Sequence, residues 1–313
     1  MFDLAAQRDY YGKTLVALGK DMPNLFVVDA DLSSSTRTSL FAKEFPDRFF
    51  NVGIAEQNAI GISAGLANMG NVVFVSSFAM FITGRTWDQV RNSVAYPFLN
   101  VKIAATHAGL TVGEDGASHQ ALEDIALMRV IPSMTVLVPA DAIEAAQMVR
   151  YAASCAGPFY IRMSRGNMPL VYKDRAEKFA LGKSDVLVEG RDVSIIACGL
   201  MVSVAIEASR VLQKEGISTG IINCSSIRPM DEETIIAQVR KTGAVVTAEE
   251  HSVFGGLGSA IAELLVRQCP APVEMLGVEG VFGESGQPNE LLQKHHLTVE
   301  GLVSKVKQVL KRT

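Results

Sequence analysis

The segment Phe49-Phe-Asn-Val-Gly-Ile-Ala-Glu56-Gln-Asn58 passes from a short apolar run into a helical pattern. Residues 49–52 have the length and composition of a strand, and apolar residues dominate the positions that follow Asn58. Gly53 allows the backbone to turn closely between the two. A strand that leads at once into a helix is the repeating unit of an α/β fold.

The same alternation extends along the chain in both directions. Short runs rich in Val and Ile predict strands at 25–29, 72–75, 101–104, 134–138 and 159–162. Helical patterns between them predict helices near 9–19, 56–69, 80–95, 121–129 and 141–154. Strands that alternate with helices predict a parallel sheet that is covered on both faces.

A polar and basic stretch interrupts this alternation, and a second series follows it. Strands are predicted near 193–197, 218–222, 244–248 and 273–276, and helices near 202–215, 232–240, 257–268 and 299–311. We therefore predict two tandem α/β domains with mainly parallel sheets, at 1–170 and 185–313, joined by a linker at 171–184.

Composition excludes several classes of function. A formal net charge of −4 gives no reason to expect nucleic acid or a membrane as partner. No apolar run reaches the roughly 18 residues of a membrane span, and the N-terminus lacks the layout of a signal peptide. The four cysteines have no paired spacing, so we expect reduced thiols in a cytoplasmic protein and neither a disulfide framework nor a metal site.

Two features follow predicted strands and could carry chemistry. Glu56 opens a helix, where an acidic residue also has a purely structural explanation in the helix dipole. The loop Thr-His107-Ala-Gly-Leu-Thr-Val-Gly-Glu-Asp115-Gly-Ala-Ser-His119-Gln lies at the strand end where ligands bind in open α/β sheets. A plain surface loop with two histidines is the alternative. The spacing matches no common metal site.

Two smaller groups accompany them. Phe78 and Phe81 lie three residues apart at a strand end, where they could pack in the core or form the wall of a pocket for a flat ring. A set of polar residues could together hold a phosphate, although each alone is an ordinary surface group or helix cap. This set contains Arg8, Ser35 and Arg165, with Asp31 nearby in the sequence.

Four motifs occur in the order and at the spacing found in transketolases. They are Gly-Ile-Ala-Glu56-Gln-Asn, Ser-Phe78-x-x-Phe81, Thr-His107 with Gly-Glu-Asp115-Gly-x-x-His119-Gln, and Ser-Arg165-x-Asn-x-Pro. The chain therefore resembles the C-terminal half of a transketolase, with a pyrimidine-binding domain followed by a transketolase C-terminal domain. The resemblance is specific from about residue 8 to residue 170. It is looser in the second domain, around Ala-Glu-Glu-His251 and Phe-Gly-Gly-Leu-Gly258.

The resemblance implies thiamine diphosphate as cofactor. Glu56 resembles the glutamate that hydrogen-bonds the aminopyrimidine ring and promotes the tautomer that removes the thiazolium proton. Phe78 and Phe81 would stack on that ring or form a wall beside it, and Asp31 resembles an acid that lines the cofactor pocket. The cofactor would supply the electron sink, and the protein would supply orientation and proton transfer.

The remaining motif residues would face the sugar. His107 resembles a histidine that recognises sugar hydroxyls and phosphate, Asp115 would contact a hydroxyl, and His119 would bond the donor's carbonyl or hydroxyls. With Glu56, the two histidines are the catalytic candidates. Arg8, Ser35 and Arg165 match positions that bind the terminal phosphate. The resemblance thus implies transfer of a two-carbon ketol unit between phosphorylated sugars, as in the pentose phosphate pathway.

One family motif does not occur in this sequence. Transketolases hold the metal ion that bridges the diphosphate with a Gly-Asp-Gly motif and a downstream Asn, and the chain contains no Gly-Asp-Gly. We therefore expect a separate N-terminal subunit to hold Mg²⁺ or Ca²⁺ and the diphosphate. The chain would be the C-terminal subunit of a split transketolase, a homodimer within an α2β2 heterotetramer, and inactive alone.

Departures from the family pattern keep other interpretations open. Ala108-Gly109 stands where a typical transketolase has Asp-Ser and resembles 1-deoxyxylulose-5-phosphate synthase, whereas Glu114 and Asn167 fit transketolase better. Gly84 stands where an additional aromatic residue often encloses the pyrimidine.

Two further alternatives are other kinds of subunit. The beta subunit of 2-oxo acid dehydrogenases is a separate chain, but it lacks the loop that contains His107. A non-catalytic paralogue that serves as a binding or regulatory subunit is the other alternative. The retained Glu56, His107 and His119 argue against it, because a site that has lost its activity usually loses its proton-transfer groups.

Overall fold

The computed structural model describes residues 2–173 and 179–312. The strands are β1 Leu4–Ala6, β2 Leu25–Asp29, β3 Phe49–Asn51, β4 Val72–Phe78, β5 Val101–Thr106, β6 Thr135–Leu137, β7 Phe159–Arg162, β8 Asn167–Pro169, β9 Asp185–Val188, β10 Val193–Ala197, β11 Thr219–Asn223, β12 Ser226–Arg228, β13 Val245–Ser252 and β14 Val273–Val278.

Helices occupy most of the connections. The α-helices are α1 Gln7–Asp21, α2 Ser33–Thr36, α3 Ser39–Glu44, α4 Glu56–Asn68, α5 Ala79–Thr83, α6 Trp87–Gln89, α7 Asp124–Arg129, α8 Ala142–Ser154, α9 Met201–Lys214, α10 Glu232–Thr242, α11 Leu257–Gln268, α12 Pro288–Lys294 and α13 Val299–Val309. Short 3-10 helices cover Pro46–Arg48, Leu110–Asp115 and Leu310–Arg312, and Val90–Ala95 is a π-helix. No helix in the described part of the chain is long and apolar enough to span a membrane.

Two sheets confirm the predicted α/β fold. The first has the order β12-β6-β7-β5-β4-β2-β3 and is parallel except for β12, and the second has the order β14-β13-β10-β11-β9 and is parallel except for β9. The strand β12, from the second half of the chain, therefore extends the first sheet. A small antiparallel pair, β1 with β8, brings residues near Arg8 close to those near Arg165.

The prediction of one continuous helix at 80–95 is wrong. It is divided into α5, α6 and the π-helix. Gly84 is a weak helix former, and the Thr86 hydroxyl donates to the Ile82 carbonyl, which competes with regular helix geometry. The break leaves Gly84 and Arg85 exposed on the surface beside Glu56.

The segment predicted as a linker is only partly described. Residues 174–178 lie outside the described residues. Before them, Val171 and Tyr172 are buried, and the Tyr172 backbone N–H donates to Asp141 Oδ2 at 2.7 Å. The beginning of this segment therefore packs against the N-terminus of α8, where the Asp141 side chain caps the helix by accepting from the Glu144 N–H.

The parallel strands of the first sheet place the candidate residues at one edge. Strands β2, β4, β5 and β7 run in the same direction, so their carboxyl ends meet at the edge where ligands bind in such sheets. Phe78 ends β4, and His107 follows β5.

Candidate functional site

A stack of two rings forms the centre of the candidate site. Phe78 and Thr106 are paired in the parallel register of β4 and β5, so His107 follows at the same level as Phe78. The two ring centroids lie 3.8 Å apart, with an interplanar angle of 19°. His107 has a left-handed φ of 57°, a strained conformation for a residue with a side chain, and its Nδ1 lies 2.9 Å from the Thr106 hydroxyl.

Phe81 and His119 complete an aromatic cluster. Phe81 lies one turn into α5, with its ring centroid 5.8 Å from that of Phe78. The His119 ring packs edge-on against the Phe81 ring, with the two ring centroids 5.0 Å apart. The structure therefore brings together both predicted aromatics and both predicted histidines in one cluster of rings, whose faces suit stacking on a flat ring.

Glu56 is the buried acid of the site. It opens α4, where the helix dipole favours a carboxylate, and only 3% of its surface is exposed. Its Oε2 lies 3.2 Å from Nη1 of Arg85, whose side chain is half exposed. The guanidinium of Arg85 also lies 4.7 Å from the Phe81 ring centroid. One cation thus bridges the acid and the aromatic cluster.

Asp31 belongs to a small polar frame ahead of Glu56. Its φ is 64°, and its backbone N–H donates to Asn51 Oδ1 at 3.1 Å. The Asn51 amide group in turn donates to Asp31 Oδ1 at 3.1 Å, and Asn51 Oδ1 also accepts from the Gly53 N–H. Asn51 therefore fixes Asp31 relative to the turn that leads into α4.

The cations predicted to hold phosphate lie near His107. Burial, together with the charges of Arg8 and Arg165, lowers the pKa of His107 to about 3, so its ring is neutral at ordinary pH. Nη1 of Arg8 donates to the backbone carbonyl of Ser35 at 3.2 Å, and Arg8 Nε is buried without a partner among the described residues. Ser35 thus meets Arg8 through its carbonyl group.

Arg165 is paired within the loop that contains the histidines. Its Nη1 lies 3.2 Å from Glu114 Oε2 and donates to the Val112 carbonyl. Glu114 also accepts a hydrogen bond from Gln287 at 3.0 Å. Asp115, the next residue, ends the 3-10 helix in an exposed position, and none of its described contacts joins its side chain to another predicted site residue.

These residues fit the pyrimidine end of thiamine diphosphate. A buried carboxyl group, linked through Arg85 to a pair of aromatic rings, offers a hydrogen-bonding partner and apolar faces for an aminopyrimidine. A Cβ on Gly84 would have the Met80 carbonyl, at 3.8 Å, as its nearest neighbour, so there is open space at the position where an additional aromatic residue often encloses the pyrimidine. Within the described ranges, no group of three or more His, Cys, Asp or Glu side chains could hold a metal ion.

Arg85, Gln57 and Asn51 contact residues of this site and were not predicted from the sequence as site residues. Arg85 lies four residues after Phe81, a spacing that places both on one helical face, and this signal was available. Gln57 supports Arg85 by donating to its backbone carbonyl at 2.9 Å. Asn51 gives no comparable signal, because its contact with Asp31 depends on the parallel pairing of β2 with β3.

Comparison with known proteins identifies the family. The pyrimidine-binding domain of transketolase matches residues 4–171, and the transketolase C-terminal domain matches residues 182–302. The chain belongs to the transketolase family. It is 48% identical over 307 residues to a putative transketolase C-terminal section from Methanocaldococcus jannaschii, covering 97% of this chain and 96% of that protein.

Other transketolase relatives have a similar length. A 6-deoxy-6-sulfo-D-fructose transketolase subunit from a Clostridium species is 40% identical, over 97% of this chain and 94% of that protein. A solved structure described as a split gene transketolase, an inactive beta4 tetramer, is 52% identical with a TM-score of 0.91 and covers 98% of both chains. The chain is therefore similar over its whole length to separate C-terminal transketolase subunits.

Proposed function

We propose that this chain is the C-terminal subunit of a thiamine-diphosphate-dependent split transketolase, active only together with an N-terminal subunit. The observation that carries the proposal is the buried Glu56 carboxyl group, which Arg85 links to the cluster of the Phe78 and Phe81 rings. The cofactor, when bound, supplies the electron sink for transfer of a two-carbon ketol unit between phosphorylated sugars. The metal and the diphosphate would be held by the partner subunit.

The residues of this chain divide the work of the site. Glu56 would hold the aminopyrimidine at a ring nitrogen and exchange a proton there, while Phe78 and Phe81 would fix the plane of the ring. Neutral His107, together with His119, would donate or accept hydrogen bonds with the sugar's oxygens. Arg8 and Arg165 place positive charge near His107, which suits a sugar with an anionic end.

The identity of the anionic end is the least specific part of the proposal. Two arginines offer charged donors to a phosphate or to a sulfonate, and one relative is described as acting on a sulfosugar. We take phosphorylated sugars as the substrates, with xylulose 5-phosphate as donor and ribose 5-phosphate as acceptor. A donor screen that includes a sulfosugar distinguishes the two classes.

The test is reconstitution. The purified chain, an N-terminal transketolase subunit, Mg²⁺ and thiamine diphosphate are assayed together and separately for ketol transfer, and cofactor binding is measured by calorimetry. Activity is expected only in the complete mixture, and weak cofactor binding is expected for the chain alone. Ketol transfer by the chain without a partner would contradict the split arrangement.

A substitution then tests the residue on which the proposal rests. Glu56→Gln removes the ionisable group but keeps the side chain's size, and it is expected to lower turnover at least a hundredfold. Glu44→Gln is the matched control, because Glu44 is an exposed acid at the end of α3 and has no described contact with the predicted site residues. Near-normal turnover of E56Q would show that Glu56 does not exchange a proton with the aminopyrimidine.

A further inference from the structure

The carboxyl end of β13 crosses from the second sheet to the candidate site. The Ser252 backbone N–H donates to the Leu122 carbonyl at 2.9 Å, and Nη2 of Arg162 donates to the Glu250 carbonyl at 2.8 Å. Leu122 and Arg162 belong to the half of the chain that contains the first sheet. Glu250 therefore lies in the contact between the two halves, directly behind the loop that contains His107.

The Glu250 side chain enters that loop. Its Oε1 accepts a hydrogen bond from the Thr111 backbone N–H at 2.7 Å, and the residue is 3% exposed. Gly109 has a φ of 83°, which favours glycine, and a Cβ placed on it would come within 2.4 Å of the Glu250 carboxyl group and displace that group. Burial raises the pKa of Glu250, and the nearby charge of Arg162 opposes that rise.

The 3-10 helix Leu110–Asp115 needs such a partner. The first N–H groups of a helix have no acceptor inside the helix, and a side chain at the preceding residue usually supplies one. That residue is Gly109, which has no side chain. The Glu250 carboxylate, from the other half of the chain, takes the place of the missing cap.

The far end of the same loop is held from the same side. Gln120 Nε2 donates to the Glu284 carbonyl at 2.9 Å, and Gln287 Nε2 donates to Glu114 Oε1 at 3.0 Å. Glu284 and Gln287 lie between β14 and α12. The second domain thus contacts the loop next to His107 and again on either side of His119.

We propose that Glu250 is a positioning residue of the candidate site: by capping the 3-10 helix after Gly109, it fixes the loop that presents His107 and His119. This gives the C-terminal domain a direct part in the geometry of the sugar site. The structural part of the proposal stands on its contacts, and its kinetic consequence rests on the proposed function.

Two substitutions of similar size isolate the cap. Glu250→Gln and Glu250→Met both remove the charge, but only glutamine keeps an oxygen that can accept from Thr111. Glu249→Met is the control, because Glu249 is equally buried on the same strand but accepts from the Leu257 and Gly258 N–H groups of its own domain, at 2.7 and 2.8 Å. Glu250→Asp keeps the charge and withdraws the carboxylate by one methylene, and it replaces E250M if that variant does not fold.

Hydrogen exchange of the full-length chain is the first measurement. The Thr111 amide is expected to exchange about tenfold faster or more in E250M or E250D than in the wild type, and E250Q to restore most of the protection. E249M should instead speed exchange at the start of α11. Equal Thr111 exchange in the wild type and in E250M or E250D would overturn the proposal, whether or not ketol transfer is detected.

Kinetics of the reconstituted enzyme are the second measurement. E250M is expected to lower kcat/KM for the sugar donor at least tenfold, with E250Q within about threefold of the wild type and E249M close to it. Faster Thr111 exchange with an unchanged kcat/KM would support Glu250 as a helix cap, but it would refute the proposal that this cap positions the histidines of the site. An inactive wild-type mixture would count against the proposed function, while the exchange result would still decide the cap.

Discussion

The pair formed by Arg85 and Glu56 is open to a quantitative test. Arg85→Gln would leave a carboxyl group that is 3% exposed without the cation that lies 3.2 Å away. Fully exposed pairs contribute about 0–1 kcal/mol, whereas removing one partner of a buried pair costs about 3–5 kcal/mol. Because Arg85 is half exposed and its charge is screened by water, we expect a cost between these limits, of about 1–2 kcal/mol.

A double-mutant cycle separates this pair from its surroundings. Glu56→Gln removes the buried charge, so Arg85→Gln should cost little in its presence, and the coupling energy should be about 1 kcal/mol or more. Arg91→Gln is the control, since Arg91 is exposed nearby and donates only to its neighbour Asn92 in the described contacts. It should show no coupling to Glu56.

The only tryptophan of the chain provides the assay. Trp87 lies two residues after Arg85, and its indole N–H donates to the Leu127 carbonyl at 2.9 Å, so its fluorescence reports unfolding around the first sheet. Urea midpoints and slopes of the four variants yield the cycle. A coupling energy below about 0.5 kcal/mol, the usual error of such cycles, would show that the pair does not form in solution.

Two other predictions concern single positions. Burial and the charges of Arg8 and Arg165 lower the pKa of His107 to about 3 in the folded chain, from about 6.5 in the unfolded chain. His107 therefore contributes fully to stability above pH 6.5, and this contribution is lost as the pH falls towards 3. Urea unfolding should show a loss of about 2–3 kcal/mol between pH 6.5 and 4.5 that His107→Asn reduces, and equal losses in both chains would contradict the low pKa. Gly84→Ala should raise the free energy of unfolding by up to about 1 kcal/mol, because Gly84 has helical dihedral angles and space for a Cβ. Destabilisation of G84A in the same assay would show that the space beside Gly84 is tighter than its contacts indicate.

Much of the fold follows from local patterns. β2 and β7 have the predicted bounds because continuous Val- and Ile-rich runs identify buried parallel strands. Asp141 was predicted as the start of α8, and it accepts from the Glu144 N–H as a helix cap does. Local patterns failed for β12, which has three residues and pairs with β6 far away in the sequence.

The site was less predictable than the fold, for a related reason. The motif order pointed to Phe78, His107 and His119, and the structure brings their rings together. The ring stack itself depends on the register that sets Phe78 beside Thr106, which no single segment encodes. Glu250 lies in the recognised Ala-Glu-Glu-His251 motif. Its contact with the Thr111 N–H could not be predicted, because that contact depends on how the two halves of the chain pack against each other.

Two charged side chains that are proposed to bind ligands each form an ion pair with another side chain of the protein. Glu56 pairs with Arg85, and Arg165 pairs with Glu114, each at 3.2 Å. The outer partner is at least half exposed in both pairs, so water screens the attraction and each pair contributes little to stability. A hydrogen bond to a charged group contributes about 1.5–3 kcal/mol. A pyrimidine at Glu56 or an anion at Arg165 could therefore replace the outer partner at little net cost, while the pairing keeps both groups in position before a ligand arrives.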